Sequence, residues 1–266
     1  MRSYGEPLRI VAYGVSLFVA LPILIILVSS LTAASYVTFP PQGYTLKWYG
    51  QVLRDPYIMR SLRISTVVAG TTAALAVLLG LGVGFALHRH RFRGQSLVSS
   101  FVMAPLTLPT IVLALGMVFF MSAIGLIGSV QALVVGHLVV AVPYAVRTLS
   151  ASIEGVNRDI ERSAAVLGAN PGVVLFRITL PLMKPGLVAA LMFSFLVSFN
   201  NVSISLFIAG PTTQTLPLTI FRMTQDVQTP NLAAIAALVM IFTTAAVLVL
   251  ERVVGLYGVL ERQRVI

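Results

Sequence analysis

Residues 161–186 read ERSAAVLGANPGVVLFRITLPLMKPG. This stretch and the few residues before it contain the residue types that typically begin and end short helices. Asn157 is suited to cap a helix that begins at Arg158, because its side-chain oxygen can accept a hydrogen bond from a free backbone N–H group. Asp159 places a negative charge in the first turn, where the helix dipole favours it. Gly168 is suited to the left-handed position that commonly follows a helix. A short helix ending near Gly168 is therefore predicted.

A second short helix is predicted immediately after the first. Asn170 and Pro171 have the residue types of a helix cap and a first helical position, and Leu180-Pro181 is expected to stop the helix. The first helix also has an apolar face, formed by Ile160, Ala164 and Leu167. Such a face either lies in the lipid interface or docks in a protein groove, and periodicity alone leaves both interpretations open.

The sequence on both sides of these helices is strongly apolar. Of the 266 residues, 58% are hydrophobic and only 10% are charged, against about 25% in a soluble domain. Asp, Glu, Lys and Arg are absent from 10–46, 64–88, 94–146, 185–221 and 227–250. A membrane-crossing helix needs about 20 mainly apolar residues, and Gly125, Gly128 and Ser129 divide the longest stretch. We predict an all-α membrane protein, a single transmembrane domain over 1–266, with six helices over 9–31, 63–87, 97–121, 130–149, 185–208 and 232–253.

The distribution of basic residues predicts the orientation. The first apolar segment follows Arg2 and Arg9 and exceeds the usual length of a signal-peptide core, so we expect it to be retained as a helix. With both termini in the cytoplasm, 13 of the 18 Lys and Arg residues lie on the inner side, as the positive-inside rule requires. The net charge of +10 then reflects placement in a lipid bilayer, and no nucleic-acid partner is predicted. The segment 150–184 becomes a cytoplasmic loop between helices 4 and 5.

The sequence of this loop resembles the EAA loop of permease subunits of ABC importers. Its pattern is roughly E-A-A-x-x-L-G-A, a spacer, and L-P-x-x-x-P-G. The residues that match are Ala164, Leu167, Gly168, Ala169, Leu180, Pro181, Pro185 and Gly186, with Phe176 at the usual aromatic position. The family glutamate falls on Arg162 in strict register, and Glu161 stands one residue earlier.

The resemblance extends over most of the chain. The segments TLKWYGQVL (45–53), LPTIVLALG (108–116), SFNNVSISLFIAGP (198–211) and TLPLTIF (215–221) are similar to the matching parts of spermidine/putrescine-type permeases. The resemblance implies a type I importer fold in the cytoplasmic (inner) membrane of a prokaryote. It also implies a cytoplasmic ABC ATPase dimer, a second permease subunit of different sequence, and an extracytoplasmic solute-binding protein.

In that family the loop supplies a coupling helix that fits a cleft in the ATPase. The resemblance assigns this contact to Glu161, Arg162, Ser163, Ala164, Ala165, Leu167, Gly168 and Ala169. The chain has only two lysines, Lys47 and Lys184, and neither lies in a nucleotide-binding G-x-x-x-x-G-K-[ST] pattern. ATP and Mg are therefore expected on the partner ATPase, with no cofactor and no catalytic residue on this chain. The absence of Cys excludes thiolate metal sites, and no His spacing typical of a metal site is present.

Polar residues in the predicted fifth helix suggest a translocation path. Ser194, Ser198, Asn201 and Ser205 share one face at helical spacing, and Asn200 stands one residue off. Close packing of membrane helices also uses small hydroxylated residues, so both interpretations stay open. A second candidate lining lies in the third helix, around Thr107 and Thr110 with Pro105 and Pro109.

The expected cargo follows from a departure from the family. Polyamine permeases tend to carry Asp where this chain has Asn200, Asn201 and Thr110, because a desolvated amine needs carboxylates. We therefore expect a small polar organic solute that is zwitterionic, anionic or neutral.

Three further side chains admit two interpretations each. Trp48 and Tyr49 are typical of interface anchors, and the resemblance also allows a contact with the external gate or the binding protein. His137 is either a hydrogen-bonded packing residue or a functional group within the membrane.

Two other functions compete with the importer. A stand-alone secondary carrier normally uses intramembrane carboxylates for proton coupling, although sodium coupling through carbonyls is formally open. An intramembrane enzyme is disfavoured because H-E-x-x-H and G-x-S-x-G are both absent.

Overall fold

The computed structural model describes residues 5–226 and 230–264, and the elements in this part of the chain are helical. The helices are α1 Gly5–Ser29, α2 Lys47–Arg54, α3 Pro56–Arg89, α4 Gln95–Met103, α5 Thr110–Ala123, α6 Val130–Gly155, α7 Arg158–Val166, α8 Pro171–Val174, α9 Leu180–Leu182, α10 Lys184–Phe199, α11 Val202–Ile208, α12 Leu216–Asp226 and α13 Pro230–Arg264. A 3₁₀ turn covers Ala104–Leu106 and a π turn covers Leu175–Thr179. The N-terminal Arg2, predicted on the cytoplasmic side, and residues 227–229, which follow the fifth predicted helix, lie outside the described residues.

The chain groups into two compact units, one formed by 1–60 with 219–245 and the other by 61–218 with 246–266. Four helices of the described residues are long and apolar enough to cross a membrane: Arg9–Ser29, Pro56–Arg89, Val130–Gly155 and Pro230–Val249. Two further pairs of helices pass the same test but are bent, so the spans number six if each bent pair counts as one. The helical fold class is confirmed, and the cytoplasmic placement of both termini stays a prediction.

The third span is not the continuous helix predicted over 97–121. Gln95–Leu106 and Thr110–Ala123 meet at an angle of 103°. Pro109 lies at the N-cap of α5 with an extended ψ of 127°. The residue before a proline is disfavoured in the helical region, and proline itself cannot donate a backbone hydrogen bond. The apolar run therefore continues through a sharp bend.

The fifth span, predicted as one helix over 185–208, is also broken. Helix α10 ends at Phe199 and α11 begins at Val202, with Asn200 and Asn201 between them. The Asn201 side chain accepts a hydrogen bond from the backbone N–H of Ile204 at 2.9 Å and so caps α11. Asparagine competes with the helix for backbone donors, which favours a cap over a helix interior.

The second inner helix does not stop at Leu180-Pro181. Helical structure runs from α8 through a π turn into α9, which ends at Leu182. A proline ring clashes with the carbonyl four residues before it, here that of Arg177, which lies within the wide π turn. Pro181 is thus accommodated by a wider turn. The bend follows at Met183, where this segment meets α10 at 71°.

Helix α6 forms the centre of the larger unit. A Cβ atom at Gly136 would lie 2.8 Å from side-chain atoms of Ile204 and Ile208, and one at Gly186 would lie 2.2 Å from Ser152 Oγ. These two glycines let α11 and α10 approach α6 closely. The core next to Gly136 is built from Val68, Ala114, Met121, Ala132, Leu133, Val140, Ile204 and Ile208. The predicted break at Gly125, Gly128 and Ser129 is confirmed. Both glycines have positive φ, and the Ser129 side chain caps α6.

Candidate functional site

Local signals fix both ends of α7, the predicted coupling helix. Asn157 Oδ1 accepts a hydrogen bond from the N–H of Asp159 at 2.9 Å. At the other end Gly168 has φ +89°, and its N–H donates to the Ala165 carbonyl while that of Ala169 donates to the Ala164 carbonyl. These two bonds form a Schellman motif, in which the left-handed residue closes the last helical turn. The predicted caps at Asn157 and Gly168, and the predicted Asn170 cap of the next helix, are confirmed.

Glu161 anchors α7 to two other parts of the larger unit. Its Oε1 atom accepts hydrogen bonds from Arg89 Nη2 at 3.1 Å and from Thr179 Oγ1 at 2.7 Å. The side chains of Glu161 and Arg89 are only 19% and 14% exposed, so water screens their attraction less than on an open surface. One carboxylate therefore ties α7 to the end of α3 and to the π turn that precedes α9.

A second pair of contacts joins the same elements. Arg158 Nη2 donates to the His88 carbonyl at 2.6 Å, at the C-terminal end of α3. The His88 ring in turn lies 3.0 Å from Glu154 Oε1 near the end of α6. With the Glu161 contacts, these bonds connect the ends of α3 and α6 to the first turn of α7. The N-terminal half of α7 is thereby held against the helices that it follows.

The C-terminal end of α7 presents an apolar surface. Val166 and Leu167 are each 87% exposed, and Ile160 is about half exposed. The predicted apolar face of Ile160, Ala164 and Leu167 is therefore only partly exposed, because Ala164 is half-buried. Sequence periodicity missed Val166, which falls outside the predicted face. The exposed pair at the tip has the chemistry of a contact that enters an apolar groove in a protein.

The remaining predicted coupling residues surround this tip. Ser163, Ala165 and Gly168 are exposed, and Ala169 is half-buried. Arg162, which occupies the register of the family glutamate, pairs with Asp159 at 3.2 Å, with both side chains more than 70% exposed. Such a pair contributes little to stability. Sequence analysis also missed Arg89 and Thr179, which become visible only when the partners of Glu161 are known.

The predicted path residues do not share one helix face. The break between α10 and α11 separates Ser194 and Ser198 from Ser205, and Asn201 is a cap and not a member of a helical face. The four side chains therefore do not form the face of one continuous helix, although Ser198 and Ser205 both contact His137. The helical periodicity ends at Asn201, because its side chain caps the next helix.

His137 holds the two sides of this break together. Its Nδ1 atom lies 2.8 Å from Ser198 Oγ and its Nε2 atom lies 3.1 Å from Ser205 Oγ. Because the Ser205 hydroxyl donates to the Asn201 carbonyl, Ser205 Oγ accepts from Nε2–H and the Ser198 hydroxyl donates to Nδ1. All three side chains are buried within the chain, which supports the packing interpretation of His137.

The other path candidates differ in exposure. Asn200 is exposed at the end of α10, and Thr110 is half-buried as the first residue of α5. Ser194 is fully buried, and its Oγ atom has no hydrogen-bond partner. Thr107, the other polar candidate in the third span, is exposed like Asn200, and Asn201 is half-buried like Thr110.

Trp48 and Tyr49 lie in the smaller unit and brace the loop that follows α1. Trp48 Nε1 donates to the Thr32 carbonyl at 2.7 Å, and the Tyr49 hydroxyl lies 2.5 Å from Ser30 Oγ. Lys47 Nζ lies 5.1 Å from the centre of the Trp48 ring. Both aromatic side chains are half-buried, so each retains an accessible part. In the part of the chain that the structure describes, no group of three or more His, Asp or Glu side chains could hold a metal ion.

Comparison with known proteins gives concordant results. Residues 76–258 match the model of the family described as "Binding-protein-dependent transport system inner membrane component". The chain is 28% identical to the spermidine/putrescine transport system permease protein PotC of Escherichia coli (strain K12). The match extends over 231 residues and covers 87% of each chain. It is 32% identical to the molybdenum transport system permease protein ModB of Mycobacterium bovis over 214 residues, 75% of this chain and 80% of ModB.

A solved structure has a similar fold. It is a bacterial alginate ABC transporter in complex with an alginate pentasaccharide-bound periplasmic protein. The similar chain gives a TM-score of 0.66 at 15% identity and covers 94% of this chain and 91% of its own length. This likeness shows that the chain shares the helical fold of the matching chain of that ABC transporter.

Proposed function

The chain belongs to the family of binding-protein-dependent transport system inner membrane components, and on this basis we propose that it couples ATP hydrolysis on another polypeptide to the import of a small polar organic solute. In this proposal a cytoplasmic ABC ATPase dimer binds the α7 loop. A second permease subunit, different in sequence, completes the membrane pathway, and an extracytoplasmic binding protein delivers the solute. The complex lies in the cytoplasmic membrane of a prokaryote.

One observation carries this proposal. Helix α7 ends in an exposed apolar tip of Val166 and Leu167, while Glu161 in the same helix is tied to Arg89 and Thr179. A helix held at its base and exposed at its tip can pass a displacement of a bound partner to α3 and α10. ATP binding would then shift the population between two arrangements of the membrane helices.

The proposed path and cargo depend on amides and hydroxyls. Asn200, Asn201 and Thr110 offer hydrogen bonds but no negative charge, and the five charge-free stretches supply no carboxylate. A zwitterionic, anionic or neutral solute fits these groups better than a polyamine. A path role for Ser194, Ser198 and Ser205 stays a prediction, which their burial in this chain does not favour.

Purification of the tagged chain in a mild detergent tests the proposal. We expect a P-loop ATPase and a second permease to co-purify, and ATP hydrolysis to rise when the loaded binding protein is added. Recovery of the chain alone, inactive toward ATP yet able to transport solute in liposomes, would contradict the proposal. That result would support a stand-alone secondary carrier instead.

A further inference from the structure

A buried side chain from a third helix bridges the break between α10 and α11. His137 lies on α6, and its partners Ser198 and Ser205 lie on opposite sides of the break, at 2.8 Å and 3.1 Å. Ser198 precedes the exposed Asn200 by two residues. The Ser205 hydroxyl donates to the Asn201 carbonyl at 3.2 Å. A continuous chain of hydrogen bonds therefore runs from α10 through α6 to the backbone of the break itself.

The surroundings of this bridge are apolar. Leu133 and Val140, one helical turn on either side of His137, belong to the same buried core as Ile204, which precedes Ser205. In such a core an apolar side chain would fill the space without any polar group to satisfy. His137 instead satisfies both ring nitrogens, and hydrogen bonds restrict distance and direction more than apolar contacts do. The bridge is therefore suited to fix a geometry and not only to fill a space.

The other ends of the two bridged helices are held by separate contacts. At the far end of α11 the Gly128 N–H donates to the Ile208 carbonyl at 3.0 Å. At the far end of α10, Gly186 allows a close approach to Ser152 on α6. Both helices thus stay attached when the His137 bridge is lost. What the bridge controls is the short segment between them.

We propose that His137 is a positioning residue for the proposed translocation path. It fixes α10 relative to α11 and thereby the direction in which Asn200 and Asn201 present their amides. The Asn201 oxygen accepts from the Ile204 N–H, so the NH₂ group of this side chain is the part left to bind a solute. A shift of the break would redirect both amides, and binding groups act only when they are correctly oriented. The inference rests on the proposed function for the role of these amides.

The test compares His137→Gln with His137→Met in the full-length chain, purified with the subunits that accompany it. The two new side chains are similar in length and volume, but only Gln can accept from Ser198 and donate to Ser205. Hydrogen exchange is measured at the amides of residues 200–204. We expect exchange about tenfold faster than in the wild type for His137→Met, and within about threefold for His137→Gln. Exchange of the Gly128 amide should stay within about twofold in both variants.

A thiol at position 200 reports on the side chain itself. The chain has no Cys, so Asn200→Cys gives it a single thiol. Its reaction with a trimethylammonium methanethiosulfonate is read from the intact mass of this chain. We expect His137→Met to change the reaction rate about fivefold, and His137→Gln to leave it within about twofold. The control is Thr72→Val, which removes a buried hydroxyl that has no hydrogen-bond partner and should leave the rate unchanged.

Two results would overturn the proposal. The first is equal behaviour of His137→Gln and His137→Met in both measurements, because a residue that only fills space tolerates either side chain. The second is unchanged exchange at residues 200–204 after Ser198→Ala, which removes one end of the bridge and keeps the His137 ring. This second variant decides the question if His137→Met does not assemble. Neither measurement requires transport, so a negative result contradicts the bridge alone, whereas failure of the importer proposal would appear in the co-purification described above.

Discussion

The Glu161 carboxylate connects three elements through a single oxygen atom. Oε1 accepts from Arg89 on α3 and from Thr179 in the π turn, and Glu161 itself lies on α7. A partly buried ion pair of this kind becomes costly when one member is removed, because the other loses its compensating charge. The carboxylate thus positions α7, whereas the exposed apolar side chains of Val166 and Leu167 lie at the other end of this helix.

Glu161→Gln is expected to loosen α7 from α3 while preserving the shape of the side chain. The substitution removes the negative charge opposite Arg89, and we expect a loss of about 1–3 kcal/mol at this contact. Solute transported per ATP hydrolysed should fall, and hydrogen exchange of the α7 amides should accelerate. Arg89→Gln should have the same effect, and the double variant should be little worse than either single one.

Asp159→Asn is the matched control for that substitution. Its ion pair with Arg162 has the same length within 0.1 Å but is exposed, so we expect a change below about 0.5 kcal/mol. If Glu161→Gln and Asp159→Asn behave alike in both measurements, the anchoring role of Glu161 is wrong.

Leu167→Asp is expected to abolish ATPase co-purification without lowering the melting temperature of the chain. Leu167 is 87% exposed, so a charge there costs the folded chain little, yet it would be buried unpaired in an apolar groove. The comparison is Leu46→Asp, which charges an exposed leucine between the first and second predicted membrane helices. Unchanged ATPase recovery with Leu167→Asp would show that the tip of α7 is not the contact.

Gly168→Val tests the turn that ends α7. A β-branched residue is strongly disfavoured at φ +89°, although a Cβ atom at this position would meet no other atom within 4 Å. The substitution therefore strains the backbone at this position without creating a steric clash with other residues. We expect normal membrane insertion with transport uncoupled from ATP hydrolysis. The control is Gly82→Val, which adds the same side chain at an exposed, uncrowded glycine within a helix, and this variant should transport normally. If the Gly168→Val protein also transports at the wild-type rate, the proposed role of this turn is wrong.

The contrast between α7 and the two bent spans shows what the sequence could predict. Caps at Asn157 and Asn170 and the left-handed Gly168 depend on hydrogen bonds within a few residues, so residue type alone indicates them. The breaks at Pro109 and at Asn201 carry local signals as well, but there an uninterrupted apolar run favoured one helix. The contacts of Glu161 with Arg89 span 72 positions, and no local pattern encodes them.

The packing of α10 on α6 provides a separate test at Gly186. A Cβ atom at Gly186 would lie 2.2 Å from Ser152 Oγ and 2.4 Å from Ser152 Cβ, so Gly186→Ala should force the helices apart. Overpacking of this kind costs about 1–3 kcal/mol, measured as a lower melting temperature in detergent. Ser152→Gly should rescue the Gly186→Ala protein, whereas Ser152→Ala, which keeps the clashing Cβ atom, should not. Rescue by both substitutions would show that only the hydroxyl is crowded.

The spanning helices expose many large apolar side chains. Val11, Tyr13 and Phe18 of α1 and Phe119 of α5 are more than half exposed. Such surface is stable in lipid or against another membrane subunit, and not in water. The polar Asn200 is an exception at the end of α10. In the proposed importer, this exposed amide would face the pathway that the chain shares with a second permease.

The chemistry of that pathway bears on the charge of the cargo. The amides of Asn200 and Asn201 and the hydroxyl of Thr110 can bind polar groups, but they cannot neutralise an ammonium group that has lost its water. The related permeases named above include one for spermidine and putrescine and one for molybdenum, so family membership leaves the cargo charge open. The expected charge of the cargo is therefore inferred from the side chains of this subunit.

We therefore expect spermidine to be a poor substrate of the assembled importer. ATP hydrolysis by the purified complex with its binding protein should stay within about twofold of the ligand-free rate when spermidine is added. A zwitterionic, anionic or neutral solute that the binding protein retains should stimulate it several-fold. Asn200→Asp should weaken import of an anionic solute by about tenfold through like-charge repulsion, while Asn200→Gln should preserve it. Strong stimulation by spermidine with the binding protein would contradict the assignment and locate the required carboxylates on the second permease.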